Sequence, residues 1–234
     1  MDRKLRLTGA EFHAQGARLF GPVDLSLETS GITVILGANG AGKSLFLALA
    51  HGIILPTKGR VNWQDQPAAE TRHTRGYVFQ NTPILRRSVA GNIALPLAAR
   101  RFTKEKKAQL LANALSMSKL QDQAHAPAAT LSGGERQRLA LARAMVTEPE
   151  VLFLDEPAAN LDPAFAIDLE QSLRNISSGG TKILMATHDL PQAQRLADDV
   201  IFFERGQVVE QAPAAAFFKD AKSEAAQRYL GGQL

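Results

Sequence analysis

The chain has 234 residues, 45% of them hydrophobic and 21% charged, and no cysteine. That excludes disulfides, thiolate metal sites, iron–sulfur clusters and cysteine nucleophiles, and leaves ample apolar sequence for a large core. Lys and Arg number 27 against 23 Asp and Glu; a net charge of +4 is too small to point to nucleic acid, and no such partner is expected. No run of about 18 apolar residues occurs, so no membrane span is expected. The opening Met1-Asp2-Arg3-Lys4-Leu5-Arg6 has no apolar stretch behind its charges, so a cytoplasmic location is expected.

In chain order, residues 23–27 alternate as a half-buried strand does, and residues 32–36 are nearly all apolar, as in a strand covered on both faces. A glycine-rich turn follows at 37–44, then a helix-like apolar run at 45–50. Residues 60–80 read as short strands and turns ending in Tyr77-Val78-Phe79-Gln80, with Trp63 packing in a small antiparallel part. Residues 83–130 are helical but broken by Pro83, Pro96 and Pro127. Their basic stretch at 100–107 reads as a solvated face, with contact to anionic lipid headgroups as a lesser alternative. A helix is expected from Ser132 to about Met145, strands at 151–154 and 183–186 around a helix near 163–176, and a strand at 200–203 before two short helical pieces. Apolar strands alternating with helices predict a parallel α/β sheet covered on both faces. The block at 81–147 interrupts the alternation and reads as an inserted helical subdomain.

Three motifs carry chemistry. Gly37-Ala38-Asn39-Gly40-Ala41-Gly42-Lys43-Ser44 fits the phosphate loop G-x-x-x-x-G-K-[ST]. Its glycines let successive N–H groups face an anion, the following helix adds its positive end, Lys43 reaches the β- and γ-phosphates, and the Ser44 hydroxyl ligates Mg2+. A glycine turn of purely structural use would not need a strand before and a helix after. Asp155-Glu156 ends the strand at 151–154, and ligands of α/β sheets bind at the carboxyl ends of strands. Asp155 is therefore expected to hold the metal through water and Glu156 to act as general base on the attacking water. Taken alone, the pair would read equally well as a turn capping the next helix before Pro157. Leu131-Ser132-Gly133-Gly134-Glu135 opens a helix with an N-cap and a capping-box glutamate, and its two glycines leave N–H groups open to a second anion.

This last segment resembles the signature of ATP-binding-cassette (ABC) ATPases. The order of motifs matches that family over essentially the whole chain: phosphate loop, Gln80, signature, Asp155-Glu156, Ala159-Asn160-Leu161-Asp162, His188. The resemblance implies a P-loop NTPase (RecA-like) core at 1–80 and 148–234 with a small antiparallel β part, and a helical subdomain at 81–147, in one domain. It implies ATP and Mg2+ as ligands. Gln80 would contact Mg2+ or the water and sense a transmembrane partner, His188 would contact the γ-phosphate, and Asp162 would link two active sites. Phe12 would stack on adenine, with His13 as its rival, since no tyrosine occurs there. His51, His73 and His125 match nothing and read as ordinary structural histidines.

In the family, two copies pack head to tail, each ATP lying between residues 37–44 of one and Ser132, Gly133, Gly134 and Glu135 of the other; hydrolysis opens the pair. The resemblance also implies a separate permease, docked near Asn81-Thr82-Pro83-Ile84-Leu85, and indirectly a solute-binding protein. The short stretch after His188 fits no extra regulatory barrel. Leu85-Arg86-Arg87-Ser88-Val89-Ala90-Gly91-Asn92, Met185-Ala186-Thr187-His188-Asp189-Leu190 and Gln207-Val208-Val209-Glu210-Gln211-Ala212-Pro213 resemble tungstate-type oxyanion importers. Uptake of tungstate or molybdate is the expectation, with phosphate and amino acids open. The alternatives are an ABC ATPase of a non-transport membrane complex and a soluble DNA- or ribosome-associated one.

Overall fold

The computed structural model describes residues 4–28, 30–159 and 161–233. The chain starts with strands β1 (Lys4–Ala14), β2 (Ala17–Glu28) and β3 (Ile32–Leu36), helix α1 (Lys43–His51), then β4 (Lys58–Trp63), β5 (Gln66–Pro67), α2 (Ala68–Thr71) and β6 (Arg75–Val78). Four helices follow: α3 (Val89–Ile93), α4 (Leu95–Ala98), α5 (Lys104–Met117) and α6 (Gly133–Met145). The second half runs β7 (Val151–Asp155), α7 (Pro163–Ser178), β8 (Lys182–Ala186), α8 (Leu190–Leu196), β9 (Asp199–Glu204), β10 (Gln207–Pro213), α9 (Ala214–Asp220) and α10 (Glu224–Leu230).

Among the described residues these strands form two sheets, one of order β2-β1-β4-β5 and one of order β10-β9-β3-β8-β7-β6. Every residue of β3, β7 and β8 is buried, as their largely apolar sequences require of central parallel strands. The larger sheet is mixed, not all-parallel as expected: β10 runs antiparallel on the edge beside β9. Arg205 (φ 49°) and Gly206 (φ 76°) make the turn between them with two positive φ values, which suits a two-residue hairpin. β10 alternates in burial and carries Gln207, Glu210 and Gln211, so no apolar run announces it.

The core has two faces. On one, the small sheet and α1 cover the large sheet through Phe20, Phe46 and Phe203, whose rings lie 5.2–6.4 Å apart. Trp63 sits at that junction, its Nε1 donating to the Ala50 carbonyl at 2.6 Å and the Arg75 guanidinium lying 5.2 Å from its ring. On the other face, α7 to α10 pack with Ala140 and Leu141 of α6. The opposite side of α6, Leu139 and Ala142, belongs to a third cluster with Val89, Ile93 and Leu110 of the inserted helices. Helix α6 is thus shared between the sheet and the helical layer. No helix of the described residues is long and apolar enough to cross a membrane.

Candidate functional site

The turn leaving β3 is built by backbone constraint. Gly37 has φ 148°, and a Cβ there would collide with the Phe203 carbonyl oxygen. Gly42 (φ 103°) caps α1 without any side-chain acceptor, so the first N–H groups of that helix are left for a ligand. Lys43 is buried, and its ammonium donates to the carbonyls of Gly37 at 2.7 Å and Ala38 at 3.1 Å. Burial lowers its pKa, while the nearby Glu156 and Asp155 carboxylates pull it back up.

Ser44 donates its hydroxyl to Asp155 Oδ1 at 2.9 Å. Burial raises the Asp155 pKa, and the Ser44 hydrogen bond opposes that. Glu156, next in the chain, has φ 49° and donates its N–H to the Ala186 carbonyl at 2.9 Å, which ties the end of β7 to the end of β8. Its carboxylate lies 2.8 Å from His188 Nδ1. The glutamate side chain is 10% exposed and the histidine 63%, so His188 shields a carboxylate that sits at the wall. A cleft of about 480 Å³ is lined by residues 39–45, Gln80, Glu156 and His188, with Leu19 at its edge. The fold therefore brings the phosphate loop, Gln80, Asp155, Glu156 and His188 to one place, from four separate loops.

Other expected residues lie elsewhere. Phe12 is half-buried on β1, opposite Phe20, and packs into the core; it does not line the cleft. An apolar side chain at the edge of the cleft is Leu19, 48% exposed on the neighbouring strand. His13 pairs with Glu11 at 3.0 Å. Ser132, Gly133, Gly134 and Glu135 form the start of α6 and do not line the cleft either. Glu135 Oε2 accepts from the Ser132 N–H at 2.8 Å and hydroxyl at 2.7 Å, and Oε1 accepts from Gln123 at 2.6 Å. These bonds, that of Gln123 foremost, hold its pKa down to about 2. Its carboxylate is committed to the helix cap.

The two signature glycines also differ: Gly133 faces open space, whereas Gly134 is buried against the Phe165 ring. The covered side of Gly134 is the one a Cβ would take, against α7. Asp162 caps α7, its Oδ1 accepting from the N–H groups of Ala164 at 3.0 Å and Phe165 at 3.2 Å. Asn160, expected in the same loop, lies outside the described residues. Tyr229 of α10 reaches the phosphate loop from the far end of the chain. Burial raises its pKa, and a hydrogen bond with the Gly37 backbone opposes that. No sequence pattern pointed to this contact.

A family model described as ABC transporter matches residues 20–159. The tungstate uptake system ATP-binding protein TupC of Peptoclostridium acidaminophilum is 37% identical over 197 residues, covering 83% of this chain and 92% of that protein. The phosphate import ATP-binding protein PstB 2 of Natronomonas pharaonis is 30% identical over 250 residues, covering 100% of this chain and 88% of that one. Among solved structures, cbiO1 from Clostridium perfringens, part of the ABC transporter complex cbiONQ, superposes with a TM-score of 0.85 at 26% identity, covering 100% of this chain and 96% of that one. The ATP-binding cassette MJ0796, solved as a post-hydrolysis dimer with ADP and Pi, shares the fold with a TM-score of 0.80 at 24% identity, covering 90% of this chain and 98% of that one. A cleft built on a phosphate loop, a family match over more than half the chain and relatives of this likeness agree: the chain belongs to the ABC transporter family, as an ATP-binding and ATP-hydrolysing cassette.

Proposed function

We propose that the chain powers solute import through a separate permease, working as a head-to-tail pair of copies at the inner face of the membrane. The observation that carries this reading is that the cleft and the signature stand apart within one copy. The cleft collects residues 39–44, Gln80, Glu156 and His188, while the signature at the start of α6 stands outside it. A second copy would bring its Ser132 and Gly133 to the open side and set a second helix N-terminus against the γ-phosphate. Phosphate charge would then hold the pair shut, and its loss would release it.

The chemistry follows from the residues. The Lys43 ammonium exchanges the carbonyls of Gly37 and Ala38 for the β- and γ-phosphates. The base of the nucleotide lies toward Leu19. Glu156, oriented by His188, takes a proton from water as the water oxygen bonds to the γ-phosphorus. The bond from that phosphorus to the bridging oxygen breaks, leaving ADP and inorganic phosphate. The Ser44 hydroxyl and Asp155 carboxylate are hard oxygen donors 2.9 Å apart, which suits Mg2+, with Gln80 at the same cleft. When bound, that ion neutralises developing phosphate charge. Asp162 reaches the partner copy beside the signature.

For the solute, tungstate or molybdate is favoured by the likeness to TupC, and phosphate is the second reading, favoured by the alignment of PstB 2 over the whole chain. Two experiments test the proposal. Glu156→Gln should keep ATP binding, lose hydrolysis and become dimeric only with ATP; a variant that stays monomeric with saturating ATP ends the paired-site reading. Tagged chain recovered from native membranes should bring down a permease and an oxyanion-binding protein, and recovery of ribosomes or DNA instead ends the transporter reading.

A further inference from the structure

Glycine at the second position of a helix weakens it relative to alanine, so Gly134 calls for a reason. The space its missing side chain leaves is filled. A Cβ on Gly134 would lie 2.5 Å from Cε1 and 2.6 Å from Cγ of Phe165, far inside contact distance. One turn along α6, the Arg138 guanidinium lies over the same ring, 5.3 Å from its centre. The buried Nε of Arg138 has no hydrogen-bond partner, so the ring face is a favourable neighbour of that cation alongside the Glu135 carboxylate. The backbone of Phe165 is held at the start of α7, since its N–H donates to the Asp162 carboxylate that caps that helix. Its ring thus ties the signature end of α6 to the capped end of α7.

We propose that Phe165 is a positioning residue for the signature: seated on Gly134 and under Arg138, it makes the start of α6 and the Asp162 cap one rigid piece. This rests on the paired-site reading above, in which both segments meet the second copy. The ring does not line the nucleotide cleft, so its effect should fall on pairing and spare nucleotide binding.

The test uses the full chain in the Glu156→Gln background, measuring ATP-dependent dimerisation by sedimentation and nucleotide affinity of the monomer with a fluorescent ATP analogue. Phe165→Ala should weaken dimerisation by about tenfold or more while nucleotide affinity changes less than about twofold. Phe165→Leu keeps apolar volume without the ring face; it should fall between, and it serves if the alanine variant does not fold. Gly134→Ala should weaken dimerisation because its Cβ meets the ring. In Gly134→Ala/Phe165→Ala that methyl enters the space the ring vacates, so the double variant should dimerise better than Gly134→Ala alone. Parent-like dimerisation by both Phe165 variants, or losses in the double variant that simply add, would overturn the proposal while the paired site stands. If the Glu156→Gln parent fails to dimerise with ATP, the paired-site reading falls and takes this inference with it.

Discussion

At the scale of single residues, Lys43 shows how a site is held ready. Its ammonium is buried and donates to two carbonyls of its own loop, and burial lowers its pKa against the pull of Glu156 and Asp155. A phosphate offers the same cation a full negative charge. Lys43→Ala should therefore cost about 1.5–3 kcal/mol of nucleotide affinity, the range for a charge-assisted hydrogen bond, or about ten- to a hundredfold in Kd by titration. Unchanged affinity would remove Lys43 from the site. Residues of this kind were legible in the sequence because phosphate chemistry fixes both their types and their spacing along one turn. Phe12 was not. The pairing of β1 with β2 shifts register on both sides of Phe12, and a slip of one residue moves a side chain to the other face. Tyr229 was beyond reach, since only the completed fold brings α10 to Gly37.

At the scale of elements, the turn from β3 to α1 separates two uses of glycine. Gly37 combines φ 148° with a neighbour, the Phe203 carbonyl, in the place a Cβ would take; Gly40 has φ 78° with nothing within 4 Å. Gly37→Ala should thus cost strain and a displaced β9, about 2–4 kcal/mol in urea unfolding, and weaken nucleotide binding with it. Gly40→Ala should cost only about 1 kcal/mol of backbone strain. Equal costs would show that the turn yields wherever it is pushed. The same elements mark what pattern reading can see. Strands β3, β7 and β8 are apolar at most positions because both their faces are covered, so they stood out. Edge strand β10 is polar on its open face, and its pairing is set by the Arg205-Gly206 turn, so it did not. The capping box of α6 was plain from Ser132 and Glu135, while the ring that covers Gly134 comes from α7, about thirty residues on, and no local rule reports it.

At the scale of the whole molecule, the joint between the two sheets should be an acid-sensitive point. His51 closes α1 beneath the small sheet, its ring edge-on to Tyr77 and Phe153 at 5.4 and 5.3 Å. Its carbonyl accepts from Arg75 at 3.0 and 3.2 Å, and Arg75 also donates to the Ala68 carbonyl and Thr71. Burial, helped by the charges of Arg75 and Arg72, lowers the His51 pKa from 6.5 to about 4. The unfolded chain therefore takes up its proton first as pH falls. The stability that His51 contributes as a neutral ring is complete above about pH 6.5, drains away between 6.5 and 4, and is gone below, a loss on the order of 3 kcal/mol. Glu135, held near 2, keeps its own contribution until more acid conditions, and Asp155, raised by burial, titrates with the opposite sign. Comparing the chain with His51→Leu at each pH cancels both. Urea midpoints of the unaltered chain should fall steeply from pH 6.5 to 4, and those of His51→Leu should fall less by the whole of that amount. Parallel curves would mean that the joint between the sheets admits the charged ring, with Arg75 moving aside to make room.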